Sequence, residues 1–95
     1  MKIRQKAYNR EWTKNILRQI SYGKKYSAKI FPFVKTTQAT VYRQLIILQK
    51  EGFVHSHREK FKNKLVFDLT TKGKLLLSYF KDVDLLRNKY KEILR

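Results

Sequence analysis

Polar side chains with hydrogen-bonding groups are concentrated between positions 36 and 43. The guanidinium of Arg43 can form two parallel hydrogen bonds with a guanine edge, and the amide of Gln38 can do the same with adenine. Tyr42 offers a hydroxyl to a base or a phosphate, and Ala39 is small enough to touch a thymine methyl group. Threonine hydroxyls suit phosphate oxygens. The segment supplies Thr36, Thr37 and Thr40.

A second group of basic side chains occupies alternate positions from 58 to 64. It consists of Arg58, Lys60, Lys62 and Lys64. A short polar segment with this density of positive charge is poorly suited to packing and well suited to phosphate groups. We therefore expect these four side chains to lie over a nucleic-acid backbone or in a minor groove.

Two histidines, His55 and His57, precede this group at alternate positions, and Glu59 extends their pattern. Imidazole and carboxylate groups bind divalent metals, but the chain has no cysteine and no further histidine. We therefore expect polar residues on an open strand face and no metal site. The sequence also shows no nucleophile paired with a base, no phosphate-binding glycine loop and no paired catalytic carboxylates. We expect neither an enzyme nor a cofactor.

The charge of the chain is strongly positive and unevenly distributed. Lysine and arginine number 23 against 7 acidic residues among 95, a formal net charge of +16. Residues 1–50 contain 12 basic residues and one acid, whereas residues 51–95 contain 11 basic residues and six acids. Such a density repels itself unless a polyanion relieves it, and nucleic acid is a polyanion that releases counterions on binding. The apolar runs are too short to cross a bilayer, and no signal peptide is evident.

The first part of the chain predicts two helices. Apolar residues recur at helical spacing from position 12 to position 20, and a glycine follows at position 23, so we expect a helix over residues 10–22. Ser27 is a candidate cap for a short second helix over residues 28–34, which Pro32 shortens or distorts. Three aromatic side chains are expected in the core. They are Trp12, Phe31 and Phe33.

A third helix has the clearest boundaries. Thr36 or Thr37 is expected to cap it, and Gly52 follows its last residue, Glu51. One apolar stripe should face the core, which leaves the polar residues from position 38 to position 43 for a partner. The stripe consists of Val41, Leu45 and Leu48.

After position 52 the sequence becomes rich in β-branched and aromatic residues. Residues 53–58 and 64–69 are expected to pair as a β-hairpin with a basic tip over residues 59–63. A final helix should begin at Thr70 or Thr71 and continue to position 94.

Apolar residues in this last helix follow a heptad-like spacing of three and four. The positions are Leu76, Tyr79, Val83, Leu86, Tyr90 and Ile93. A helix of this length is about 35 Å long, so its first part should cover the core and its distal part should extend beyond the domain. We expect the distal side chains to pair with a second copy of the chain. These are Val83, Leu86, Tyr90 and Ile93.

Two short motifs accompany this order of helix, helix, helix, hairpin and helix. The first consists of Thr40, Val41, Arg43, Leu45, Leu48, Gly52, Phe53 and Val54. The second consists of Leu69, Thr70, Thr71, Lys72 and Gly73. Over residues 11–80 the chain resembles winged helix-turn-helix regulators of the MarR and PadR type, and small winged-helix proteins of archaea and their viruses. The resemblance implies a mainly helical α+β fold of three helices, a hairpin wing and a long C-terminal helix. The short second helix with Pro32 departs from the family pattern.

The resemblance implies binding of double-stranded DNA, with the third helix in the major groove and the wing on the backbone or in the minor groove. With the basic charge, it predicts a sequence-specific transcriptional regulator that is a homodimer in the cytoplasm, or in the host cytoplasm if viral. The alternatives are a sequence-independent architectural protein and an RNA-binding or protein-docking winged helix. We expect no membrane partner and no small-molecule ligand. The predicted organisation is a basic arm (1–10), a DNA-binding domain (11–80) and a dimerisation extension (81–95).

Overall fold

A computed structural model of the chain describes residues 10–93. Within them, four α-helices, one 3-10 helix and one antiparallel hairpin form a mainly helical α+β fold. The predicted order of elements is confirmed, and the predicted arm before position 10 lies outside the described residues. The α-helices are α1 (Arg10–Ser21), α2 (Ser27–Ile30), α3 (Gln38–Lys50) and α4 (Thr71–Ile93). The 3-10 helix is Phe31–Phe33, and the strands are β1 (Val54–Arg58) and β2 (Leu65–Leu69).

The second helical segment is shorter than predicted and changes type. Ser27 is the first residue of α2 and not its cap, since the preceding Tyr26 has the extended cap conformation and makes no side-chain capping bond. Pro32 lies at the start of the 3-10 helix, where it has no amide hydrogen to continue an α-helix. The prediction for Phe33 is wrong. Its ring is 51% exposed and lies 4.7 Å below the ammonium of Lys24.

The third helix has the predicted cap and nearly the predicted length. The hydroxyl of Thr37 accepts a hydrogen bond from the amide of Thr40 at 3.2 Å, which satisfies an amide that the helix cannot pair. The helix ends at Lys50, one residue early, and Gly52 follows with φ of +86°. Side chains disfavour that left-handed conformation, so a glycine ends the helix well. The predicted core stripe is confirmed as buried. It consists of Val41, Leu45 and Leu48.

The hydrophobic core lies where α1, α3, the hairpin and the first half of α4 converge. Burial of about 25 cal/mol per Å² of apolar surface is the main force that brings these elements together. The core is lined by Ile16, Leu17, Ile20, Ile30, Val34, Val41, Leu45, Leu48, Val54, Phe67, Leu77 and Phe80. Trp12 and Phe31 are partly buried against it, as predicted.

The hairpin is attached to the helices along β2. β1 and β2 pair antiparallel, with Ser56 opposite Phe67, and each strand is one residue shorter than predicted. The amide of Phe67 also donates to the carbonyl of Lys25 at 2.9 Å, so the segment between α1 and α2 runs beside the hairpin. On the other side, the hydroxyl of Ser56 donates to the amide oxygen of Gln49 in α3 at 2.9 Å. These bonds fix how the hairpin projects from the body.

The turn after α3 meets the start of α4 in a contact that we call the junction, formed by residues 51–53 and 70–73. The hydroxyl of Thr70 donates to the carbonyl of Gly52 at 2.6 Å and accepts from the amide of Gly73 at 3.0 Å. The hydroxyl of Thr70 therefore caps α4 and also connects α4 to the turn that follows α3. The sequence left Thr70 and Thr71 open as the first residue, and the structure begins α4 at the second.

A lysine and a glycine complete the junction. The ammonium of Lys72 donates to the carbonyl of Glu51 at 2.7 Å and lies 4.7 Å from the ring centroid of Phe53. A cation at the last carbonyls of a helix complements its dipole. Gly73 passes so close that a Cβ built on it would lie 2.0 Å from the carbonyl oxygen of Phe53. Only glycine allows this approach, because real Cβ atoms do not come so near another atom.

The fourth helix turns a different stripe toward the core than the sequence predicted. Gly73, Leu77 and Phe80 are buried, Leu76 is half-buried, and Tyr79 is 57% exposed. The close approach of Gly73 determines this rotation, because residues four and seven positions further along lie on the same side of an α-helix. The expectation that Tyr79 covers the core is therefore wrong.

Candidate nucleic-acid interface

The first half of α3 presents a surface that we call the polar face, formed by Gln38, Ala39, Tyr42 and Arg43. All four residues are exposed, and Tyr42 is 45% exposed. Ala39 and Arg43 lie opposite the buried stripe and Tyr42 lies beside it, as 3.6 residues per turn require. Gln38 is exposed although it precedes Leu45 by two helical turns, because it is the first residue of the helix. The helix contains no acidic residue, so no carboxylate on α3 itself competes for Arg43. The structure thus gathers on one helix face the four side chains that the sequence suggested for base contacts.

The threonines beside this face are partly used by the protein itself. Thr37 is exposed and Thr40 is half-buried. The hydroxyl of Thr37 donates to the hydroxyl oxygen of Thr40 at 2.9 Å while it caps the helix. Thr36 is half-buried just before the cap. Thr37 therefore has a structural role in addition to the predicted phosphate contact.

The hairpin tip, residues 58–64, is a closed turn. The amide of Glu59 donates to the carbonyl of Lys64 at 2.7 Å, and the amide of Asn63 donates to the carbonyl of Glu59 at 3.0 Å. Asn63 adopts φ of +51°, a left-handed conformation that asparagine tolerates better than most residues. The guanidinium of Arg58 donates to the carbonyl of Asn63 at 3.3 Å. Arg58 thus braces the turn, which the sequence did not indicate.

Tyr26 anchors the tip to the rest of the protein. Its hydroxyl donates to the carboxylate of Glu59, whose two oxygens each lie 2.8 Å from the phenol oxygen. The ammonium of Lys64 lies 5.3 Å from the centroid of the same ring. The hydrogen bond to Glu59 raises the pKa of Tyr26, followed by desolvation and the charge of Glu59. A raised pKa means that this contact stabilises the fold below the ordinary tyrosine pKa and weakens as the pH rises through the folded value.

The remaining tip residues point away from the body. Lys60 and Lys62 are exposed, and between them the ring of Phe61 is 95% exposed. Such an exposed phenylalanine ring is unfavourable in water, because the protein does not gain the free energy that burial of this apolar surface would provide. The sequence interpretation did not select Phe61. The available indication was a single aromatic residue in the middle of an otherwise polar and basic turn.

The histidine pair has a different carboxylate beside it than the sequence suggested. Glu59 is engaged with Tyr26 in the tip. Asp68 of β2 lies directly opposite His55 in the hairpin register, and His57 has its Nδ1 4.0 Å from Asp68 Oδ2. The two rings and this carboxylate share the outward face of the hairpin.

The distal part of α4 is exposed from position 85 to position 93. The last contact with the body that we identify is the ion pair between Asp84 Oδ2 and Lys14 Nζ of α1, at 3.2 Å. Of the predicted dimerisation residues, Val83 is half-buried and the other three are exposed, namely Leu86, Tyr90 and Ile93. Leu75 and Tyr79 continue this exposed side toward the start of α4. The exposed apolar stripe is therefore longer than predicted.

Comparisons with known proteins assign no family. Neither the protein-family models nor the curated proteins give a match to this sequence. Among residues 10–93, no helix has the combination of length and apolar character that crossing a membrane requires.

Proposed function

We propose that this protein is a winged helix-turn-helix protein that binds double-stranded DNA as a sequence-specific transcriptional regulator. The observation that supports this most strongly is the polar face of α3, which offers exposed Gln38, Tyr42 and Arg43 on a capped helix without acids. A B-DNA major groove is about 12 Å wide and admits one α-helix. With the N-terminal half of α3 in that groove, Arg43 pairs with guanine and Gln38 with adenine.

The hairpin tip acts as the wing in this proposal. Lys60, Lys62 and Lys64 contact phosphates beside the groove that α3 occupies or enter the adjacent minor groove. Their contribution does not depend on sequence and falls as salt rises, because each neutralised phosphate releases counterions. The bonds that hold the tip, from Tyr26 to Glu59 and from Arg58 to Asn63, support a pre-formed wing. Less conformational entropy is then lost on binding.

Phe61 adds an apolar contact at the tip, since minor-groove proteins insert such side chains between base steps and kink the duplex. We expect Phe61→Ala to reduce affinity, as base–aromatic stacking contributes roughly 1–3 kcal/mol per base, and to reduce DNA bending. Sequence preference should remain, because α3 is unchanged. Energy transfer between dyes at the two ends of a duplex measures the bend, and Phe61→Leu is the control that keeps an apolar wedge. Equal bending by wild type and Phe61→Ala would refute this role.

A second copy of the chain is the proposed partner for the exposed stripe of α4. The stripe extends along a helix of about 35 Å, and the nine residues of this helix beyond Asp84, positions 85–93, are exposed. A domain of this size buries a modest fraction of its surface, so pairing α4 with α4 adds apolar burial that one chain lacks. A two-fold dimer also presents two α3 helices to a palindromic site.

The double substitution of Val83 and Leu86 by glutamate is expected to convert the homodimer into monomers, because the paired helices would bury two charges from each chain without partners. Sedimentation equilibrium gives the mass directly. Leu85→Glu is the matched control: Leu85 is 61% exposed and Leu86 is 53% exposed, but Leu85 points away from the stripe. An unchanged mass in the double variant would exclude α4 as the dimer interface.

A sequence-independent architectural protein is the second candidate. The observation in its favour is the basic charge away from α3, including the half-buried Lys24 and the exposed Lys29 in the segment around α2. Such charge strengthens binding to any duplex without reading its sequence.

Selection of bound sites from a random duplex library at roughly physiological salt separates the two candidates. We expect an enriched palindrome with half-sites about 10 base pairs apart, or a multiple of this, and a winner that binds roughly 10³-fold or more tighter than bulk DNA. Tight, steeply salt-dependent binding without enrichment would favour the architectural protein. Tighter binding to RNA than to any duplex would contradict both.

A further inference from the structure

Three metal-binding side chains converge on the outward face of the hairpin. His55 and His57 lie on this face because side chains of a β-strand alternate between its two sides. Asp68 joins them from β2 because it is the cross-strand partner of His55. One ligand atom of each residue lies within 4.8 Å of the other two.

We propose that His55, His57 and Asp68 bind one divalent transition-metal ion of the zinc type, with water in the remaining coordination position. Imidazole nitrogen and carboxylate oxygen are preferred ligands of such ions, and three protein ligands plus water is a common tetrahedral set. Bonds of about 2.0–2.2 Å place tetrahedral ligand atoms roughly 3.3–3.6 Å apart. The ligand atoms must therefore approach one another by at most about 1.5 Å. Both histidines are exposed, so their side chains are free to rotate and close this distance.

Lys25 positions the carboxylate for this role. Its ammonium lies 2.5 Å from Asp68 Oδ1, while Asp68 Oδ2 faces His57. The backbone of Lys25 is itself fixed beside β2 by the hydrogen bond from the amide of Phe67. Metal-binding carboxylates are commonly held by such a second hydrogen bond, which orients the free oxygen. One oxygen of Asp68 is thus engaged and the other is available to the ion.

The site joins the two strands between the body and the tip. An ion held by β1 and β2 together stabilises the paired hairpin, because it binds the folded arrangement and not the separated strands. The formal net charge of +16 opposes a cation, but at about 0.15 M salt the screening length is about 8 Å and distant lysines contribute little. The nearby positive charge is that of Lys25, which the carboxylate of Asp68 offsets in their ion pair. The proposal does not depend on DNA binding, and its test uses no DNA.

Calorimetric titration of the untagged full chain with Zn²⁺, in a buffer that does not coordinate metals, tests the site. We expect one ion per chain and a rise in Tm with zinc concentration. His55→Ala, His57→Ala and Asp68→Asn should each weaken zinc binding by roughly tenfold or more, because each substitution removes one of the three protein ligands. Asp82→Asn, an exposed carboxylate on α4, is the matched control and should leave the affinity unchanged.

The NMR chemical shifts of the histidine ring nitrogens provide a second measurement. It is made on the wild-type protein, so it does not depend on whether a variant folds. Saturating zinc should shift the ring signals of both His55 and His57 at the same equivalence point. Absence of saturable binding, one ion shared by two chains, or shifts of a single ring would each overturn the proposal. Unchanged affinity in a folded Asp68→Asn variant would also overturn it, because the carboxylate is then no ligand.

Discussion

Alanine at position 73 is expected to lower the free energy of unfolding by about 3 kcal/mol, as overpacking of a close contact does. Glycine to alanine inside a helix normally adds stability of about 1 kcal/mol. Here the new methyl group would lie 2.0 Å from the carbonyl oxygen of Phe53. That oxygen also accepts from the amide of Thr70 at 3.1 Å, so it cannot retreat without loss of a bond at the junction. Tm should fall by roughly 12–24 °C.

Ser78→Ala is the matched control for this substitution. Ser78 is exposed on the same helix, and the change improves helix propensity without a new contact. The two variants should therefore shift stability in opposite directions in urea denaturation at one fixed protein concentration. Fixed concentration is needed because a dimer is stabilised by mass action. Equal or higher stability of Gly73→Ala would mean that α4 does not approach Phe53 this closely.

Arg43→Ala is expected to weaken binding to the preferred site by about 1–3 kcal/mol and to relax discrimination at one base pair. The proposed cause is loss of the bidentate contact with guanine. Arg43 is exposed, so the fold should be unaffected. Affinities for the selected site and for sites with single base-pair changes, measured at one salt concentration, give both quantities.

Two further variants define what Arg43 contributes. Arg43→Lys keeps the charge but not the planar pair of donors, so it should lose discrimination while retaining part of the affinity. Lys60→Ala removes an exposed lysine that the proposal places on a phosphate, so it should weaken binding to all duplexes alike. If Arg43→Ala also weakens all sequences equally, Arg43 contacts a phosphate and another residue reads the base.

Local rules predicted the boundaries of α3 well because each of them has a local cause. The cap at Thr37 and the glycine at position 52 lie next to the helix ends that they produce. The stripe of α3 follows from helical periodicity alone. The exposure of Ala39 and Arg43 follows from the same periodicity, since positions opposite a buried stripe are exposed.

The histidine cluster could not be predicted, because it depends on the hairpin register. Strands over residues 53–58 and 64–69, paired end to end, would set Asp68 opposite Val54, on the core side. The observed register sets it opposite His55 instead. A shift of one residue moves every side chain of a strand to the other face. The sequence placed the turn within one residue of its position, and that difference decides which carboxylate meets the histidines.

The rotation of α4 was also beyond local rules. Its apolar residues fit more than one stripe, and heptad spacing favoured Leu76 and Tyr79. Contact between Gly73 and Phe53 selects the stripe of Leu77 and Phe80. This contact joins residues twenty positions apart, so no periodicity within the helix could indicate it.

The junction is the point about which α4 would tilt relative to the rest of the domain. In the proposed homodimer, α4 extends about 35 Å from it, so a tilt of about 5° at the junction moves the far end by roughly 3 Å. That displacement is close to the 3.4 Å rise of one base pair. In such a dimer, a change of about 5° in the angle at which Gly73 lies against Phe53 would therefore change the distance between the two copies of α3 by about one base-pair step. A methyl group at this single position would change the spacing of half-sites that the dimer can reach.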